Sequence, residues 1–262
     1  MDDKTFQLPS FREAETTNPR KLLLISHHKT GKTTLASGLQ NSLLIDTEDG
    51  SDFVAGVIFN LQKESAKFHG SQVLTLQALS QHIRTENEKL GKPVYDYIVI
   101  DTITGLESLA RRYATSLYKE TIMGSKFKGS DVVTELPNGS GYDFLRKAFV
   151  ELYKYFEGLA GKGLILMGHT KYSSITKLGK ELSAKDVDLT GKLKQIVCRD
   201  MDAIGYLYRK ENKVIVSFIS HEQDLAVGAR SPHLRNKELS LSEYDEGSQQ
   251  FTFNWNQIYK ED

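Results

Sequence analysis

Residues 26–33 read Ser-His-His-Lys-Thr-Gly-Lys-Thr and directly follow the apolar run Leu22-Leu23-Leu24-Ile25. A strand that runs into such a turn and then into a helix is the G-x-x-x-x-G-K-[ST] phosphate-binding arrangement, here with Ser26 at the first glycine position. Gly31 lets backbone N–H groups close round an anion, and Lys32 brings a cation to the β/γ oxygens of a nucleotide. Thr33 offers a hydroxyl to Mg²⁺, and a helix starting near Lys32 aims the positive end of its dipole at the same place. The expected nucleotide-contacting stretch is therefore Ser26, His27, His28, Lys29, Thr30, Gly31, Lys32, Thr33 and Thr34.

A partner for this loop lies downstream. Tyr97-Ile98-Val99-Ile100-Asp101 reads as a buried strand with a carboxylate at its carboxyl end. At that position Asp101 would orient the water shell of a Mg²⁺ ion held by Thr33. The competing reading is a helix cap, because Asp often ends a strand and starts the next helix. The expected ligands are ATP and Mg²⁺.

Composition narrows the class. A chain of 262 residues suits one α/β domain, with or without a small appendage. Lys+Arg and Asp+Glu both total 34, so no global basic field advertises nucleic acid, and any such surface must be local. The single cysteine, Cys198, excludes an internal disulfide and fits a reducing compartment. No apolar run approaches the ~18 residues of a membrane span, and the polar, acidic start is unlike a signal peptide. The expectation is a soluble, cytoplasmic protein.

Along the chain, residues 1–20 carry Pro9, Asn18 and Pro19 without periodicity and read as a surface arm. A strand at Lys21–Ile25, a helix to about Gln40 and a strand at Ser42–Ile45 follow, the last running into Asp46-Thr47-Glu48-Asp49. Gln72–Leu76 reads as a short strand, Ala78–Leu90 as a helix, and Thr104–Tyr118 as the helix after Asp101. Glu120–Gly141 is polar with no core pattern, and so long a connection usually means function or disorder. Tyr142–Leu159 is amphipathic, and Gly163–Gly168 is a strand ending at His169-Thr170-Lys171. A second polar loop, Tyr172–Lys185, precedes a helix at Leu189–Arg199, and Ala203–Tyr208 with Val214–Ile219 alternate like a hairpin. Strands alternating with helices imply a mainly parallel sheet covered on both faces.

Guanine specificity is not supported, because His169-Thr170-Lys171-Tyr172 lacks the Asp of an Asn/Thr-Lys-x-Asp motif. A nucleotide kinase would need lid arginines that the chain does not offer. Taken with their order and spacing, Ser26–Thr34, Leu44–Glu48, Tyr95–Glu107, Ile165–Lys171, Asp186–Leu207 and Val227–Arg230 resemble phage-encoded RecA-like P-loop ATPases. Those are proteins of the single-strand annealing and recombination type, grouped with phage nucleotide-binding AAA-domain proteins. The departure is Ser26, with His27 and His28 in place of the usual small residues.

The resemblance implies an α/β RecA-like fold: a mainly parallel central sheet, helices on both faces and a C-terminal β-hairpin extension. It divides the chain into an arm (1–20), an ATP-binding core (21–235) and an extension (236–262). It implies Glu48 as the residue that orients or activates water, with Asp46 and Asp49 as rivals and an acidic turn as the bland reading. His169 would sense the γ-phosphate, or else merely cap backbone. Arg230 would reach a neighbouring subunit's nucleotide in trans, with Lys210, Lys213 and Arg235 as competitors and a solvated surface arginine as the plain reading. Self-association would follow. The two polar segments would meet single-stranded DNA through Lys126, Phe127, Lys128, Lys177 and Lys180, unless these are simply solvated loops. The implied activity is ATP hydrolysis on single strands during recombination, annealing or replication. The alternative is a nucleotide-gated interaction module with little turnover.

Overall fold

The computed structural model of the chain describes residues 11–14, 17–68, 70–129, 132–136, 139–177, 180–220 and 226–261. The apolar run Leu22–Ile25 forms the body of strand β1 (Lys21–Ser26). Side chains alternate across a strand, so Leu22 and Leu24 enter one core while Leu23 and Ile25 enter the other. All four are buried, as a parallel strand covered on both faces requires.

Helix α1 (Lys32–Ser37) leads to β2 (Ser42–Asp46), β3 (Ile58–Asn60), α2 (Leu61–Lys67) and α3 (Gln72–Leu90). Then come β4 (Tyr97–Asp101), α4 (Ile103–Lys119), α5 (Ser140–Lys154), β5 (Gly163–Lys177), β6 (Lys180–Val187) and α6 (Leu193–Asp200). The chain ends through β7 (Ala203–Lys210), β8 (Lys213–Ser217), β9 (Gly228–Ala229), β10 (Glu238–Asp245) and β11 (Gln250–Phe253). Among these, the sheet order is β11-β10-β8-β7-β1-β5-β4-β2-β3, with β6 paired to β5 and β9 to β7. The strands from β7 through β3 are parallel, and the β7-β8-β10-β11 side is antiparallel. This is the α/β architecture expected from the sequence, a mainly parallel central sheet extended by antiparallel strands from the C-terminal part of the chain.

The two faces are covered unequally. One core takes side chains from α3, α4, α5 and α6. Among the described residues the other takes only Leu35 and Ala36 from an α-helix, and Leu234, Trp255, Ile258 and Tyr259 complete it. The last residues are also tied to the start of the chain, because Asn18 Nδ2 donates to Lys260 O and Lys260 N donates to Asn18 Oδ1, both at 2.8 Å.

Four local expectations change. Gln72–Leu76 is no strand but the first turn of α3, where the Ser71 side chain accepts from Leu74 N and Thr75 Oγ1 donates to Ser71 O. Buried Leu76, Ser80 and Ile83 continue one helical stripe, which outweighs the local β-branched residues. The loop expected at Tyr172–Lys185 is an antiparallel hairpin, paired from Thr170↔Val187 to Lys177↔Lys180. Glu120–Gly141 is not free of core residues, since Val133, which opens a 3-10 turn (Val133–Glu135), and Leu136, which follows it, are both buried. Finally, α6 starts at Leu193 rather than Leu189, because Gly191 adopts a left-handed φ of 54° just before it. Among the described residues no helix is long and apolar enough to cross a membrane.

Candidate functional site

Strand register gathers the site. Ser26 lies opposite His169, Asp46 opposite Asp101, and Asp101 opposite Met167. The carboxyl ends of β1, β2, β4 and β5 therefore open onto one edge, where ligands of open α/β sheets are expected.

The loop from β1 turns into α1 at Gly31, whose φ of 103° is a conformation that side chains rarely adopt. No side chain caps α1, and its first N–H groups stay available. Lys32 is buried and directs its ammonium to Ser26 Oγ at 3.1 Å, His27 O at 3.3 Å and His169 Nδ1 at 3.2 Å. Burial lowers the Lys32 pKa, against the pull of Asp101 and Glu48. A lysine ammonium only donates, so in this contact His169 Nδ1 is the acceptor and Nε2 is the ring nitrogen left to donate. That nitrogen sits 3.3 Å from Glu48 Oε2. His28 stacks on the same imidazole with centroids 3.9 Å apart, and its pKa is lowered by His169, by burial and by Lys32.

Thr33 Oγ1 donates to Asp101 Oδ2 at 2.6 Å. The other oxygen, Asp101 Oδ1, is buried with no hydrogen-bond partner. Burial raises the Asp101 pKa, opposed by the Thr33 hydroxyl and the Lys32 charge. A hydroxyl beside a carboxylate with one open oxygen is the donor set that Mg²⁺ and its waters take. The residues present fit that ion.

Glu48 is distinguished from its rivals by its contacts. Its Oε1 accepts from Thr102 Oγ1 at 2.7 Å, and Oε2 faces His169. The His169 and Thr102 hydrogen bonds lower its pKa against the effect of burial. Asp46 instead accepts from Glu48 N, Ser51 N and Asn60 Nδ2, and so shapes the turn. Asp49 accepts from Asn60 Nδ2 at 2.6 Å.

The remaining expected residues stand elsewhere. Arg230 follows β9, which pairs with Ala203 and Ile204 at the amino end of β7. Its guanidinium meets Asp202 Oδ1 and Arg199 O. That is the opposite edge of the sheet from Lys32, a strand length of about 17 Å away, so Arg230 is no part of its own chain's site. Lys126 and Lys128 are exposed, whereas Phe127 packs edge-on against Tyr118. Lys177 and Lys180 have backbone positions at the end of the β5–β6 hairpin, and their side chains lie outside the described residues.

Some contacts were not anticipated. Arg209 Nε donates to Thr30 O of the loop at 3.2 Å. Ser26 pairs with Leu207, so Arg209 overhangs β1 by two residues, a relation visible only once β7 is known to neighbour β1. Thr102, Thr170 and Tyr172 likewise meet Glu48 and His27 through strand placement rather than motif.

A search of curated proteins finds no match to this chain. Among solved structures, a crystal structure of the RadB recombinase aligns over 88% of this chain and 90% of its own, at 13% identity and a TM-score of 0.42. The family model described as AAA domain (AAA_24) matches residues 18–240, which include β1, the loop, Glu48, Asp101, His169 and Arg230. The chain belongs to that AAA domain family.

Proposed function

We propose that this protein binds ATP with Mg²⁺ and hydrolyses it, and that it does so as a self-associating RecA-like ATPase acting on single-stranded DNA. One observation carries the nucleotide reading. The Thr33 hydroxyl and the open Asp101 Oδ1 lie beside a buried lysine and a carboxylate held by His169 and Thr102.

Lys32 and the loop N–H groups hold the β/γ oxygens, and Thr33 and Asp101 hold Mg²⁺ and its waters. When bound, the ion neutralises phosphate charge. Glu48 orients the attacking water and takes its proton, and its lowered pKa keeps it ionised for that task. His169 touches both Lys32 and Glu48 and so senses whether a phosphate has engaged the lysine. Arg230 of a second copy completes the charge on the γ-phosphate in trans, which its place on the opposite edge of the sheet allows. Exposed Lys126 and Lys128 serve single strands as phosphate contacts; Phe127, turned to Tyr118, adds no stacking. Action in phage recombination, annealing or replication is the context that the sequence resemblance suggests.

One contact favours a second reading, a nucleotide-gated interaction module with little turnover. Ser26 puts a side chain where a glycine is usual, and its Oγ already holds Lys32. Phosphate release by wild type, Lys32→Ala and Glu48→Gln proteins separates the two. Turnover by wild type that Glu48→Gln loses supports hydrolysis. Nucleotide binding with wild-type release no higher than Lys32→Ala supports the module.

A further inference from the structure

A second connection between the loop and the β5–β6 hairpin runs through His27. The His27 ring nitrogens lie 3.3 Å from Thr170 Oγ1 and 3.3 Å from the Tyr172 hydroxyl. The ring leans on Tyr172 with centroids 5.5 Å apart and meets Tyr206 edge-on at 6.3 Å. Lys185, the hairpin partner of Tyr172, places its ammonium 4.1 Å from the centroid of the Tyr206 ring. One imidazole thus touches β5 and β7 directly and reaches β6 through Lys185.

The backbone of the same residue touches the phosphate machinery. His27 O accepts from Ser26 Oγ at 2.9 Å, Thr30 Oγ1 at 2.8 Å and Lys32 Nζ at 3.3 Å. A carbonyl has two lone pairs and a lysine ammonium three donors. His27 O is therefore oversubscribed, and Lys32 has its donors directed at Ser26, His27 and His169. An anion that engages Lys32 must displace one of these partners. The contact to His27 O is the longest of the three and shares its acceptor with two shorter hydrogen bonds.

We infer that His27 is a positioning residue that ties the state of the phosphate loop to the order of the hairpin base. The inference rests on the nucleotide-binding reading and adds its regulated element. Release of His27 O by Lys32 lets the loop resettle, and the His27 ring carries that shift to Thr170 and Tyr172. Coupling is reciprocal, so a partner held by the hairpin tightens or loosens nucleotide by the same factor.

The test is hydrogen exchange of the full chain at the backbone amides of Thr170–Tyr172 and Ala184–Val187, with and without saturating Mg-ATP. Nucleotide affinity is followed separately with a fluorescent ATP analogue. In the wild type, bound nucleotide is expected to change exchange at the hairpin base about fivefold or more. Tyr172→Phe alters no residue of the loop itself and removes only the hydroxyl that meets the His27 ring; it is expected to bind nucleotide and to show a reduced response. His27→Ala loses the response, and adding Tyr172→Phe to it removes nothing more, because both changes cut one link. If His27→Ala binds too weakly to saturate, the Tyr172→Phe response decides. Wild-type binding with no hairpin response overturns the inference, as does an undiminished response in Tyr172→Phe and His27→Ala, or additive losses in the double variant. Absence of nucleotide binding by the wild type overturns the nucleotide reading itself, and the coupling with it.

Discussion

At the scale of single residues, charge and burial at Asp101 set stability against function. Burial holds its carboxyl above the ordinary aspartate range. A carboxyl whose folded pKa is raised stabilises the fold below its unfolded value and loses that contribution as pH rises through the folded value. At neutral pH Asp101 is thus a cost to folding. Asp101→Asn is expected to melt at or above the wild-type temperature without nucleotide, and to lose the added stability that Mg-ATP gives the wild type. Thermal melts with and without Mg-ATP check both parts, and a variant that keeps the Mg-ATP shift contradicts the metal role. Glu48 runs the other way, its pKa lowered by His169 and Thr102. Glu48→Gln should bind ATP within a few-fold of wild type and release phosphate about 10²- to 10⁴-fold more slowly. Cys198 supplies a control on folding. Burial pushes its thiol up to about 11, so it should resist alkylation at pH 8 until the chain is unfolded. Of these residues, the meeting of Thr33 with Asp101 beside Lys32 was legible because a strand, a glycine turn and a second strand ending in a carboxylate can be read in order along the chain. The contacts of Arg209, Thr170 and Tyr172 were not, because they depend on which strands are neighbours.

At the scale of elements, β1, β2 and β4 were readable because strands buried on both faces are continuous apolar runs. The β5–β6 hairpin was not. Apart from Ile175 and Leu182, which face each other in register, its outer half is made of polar residues, and its pairing is a backbone property that hydropathy does not register. The first turn of α3 was misread for a different reason: Val73 and Thr75 favour a strand locally, and only the stripe from Leu76 to Ile83 decides for a helix. The C-terminal turn carries a prediction of its own. Trp255 is buried against α1 and its Nε1 donates to Leu35 O at 2.9 Å. Trp255→Ala should cost about 3–5 kcal/mol, read from urea unfolding. A loss below about 1 kcal/mol would mean that this turn does not hold the loop helix in place.

At the scale of the whole molecule, the sheet presents two unlike edges. Lys32, Glu48, Asp101 and His169 open at the carboxyl ends of the strands, while Arg230 stands at the amino ends beside Asp202. The sequence named all five residues, Lys32 and Asp101 through their motifs and the other three through the resemblance, but only the topology separates Arg230 from the rest. One chain therefore cannot bring Arg230 to its own nucleotide, and the proposed chemistry needs a second copy. Arg230→Ala should leave nucleotide binding intact and remove the steep dependence of turnover on protein concentration. The most direct measurement is phosphate release from ATP across a protein titration, with and without single-stranded DNA, using Lys32→Ala as the blank. Release that exceeds the blank, rises faster than linearly with protein and is stimulated by single strands is the expected result. Release no greater than the Lys32→Ala blank at every concentration would contradict it.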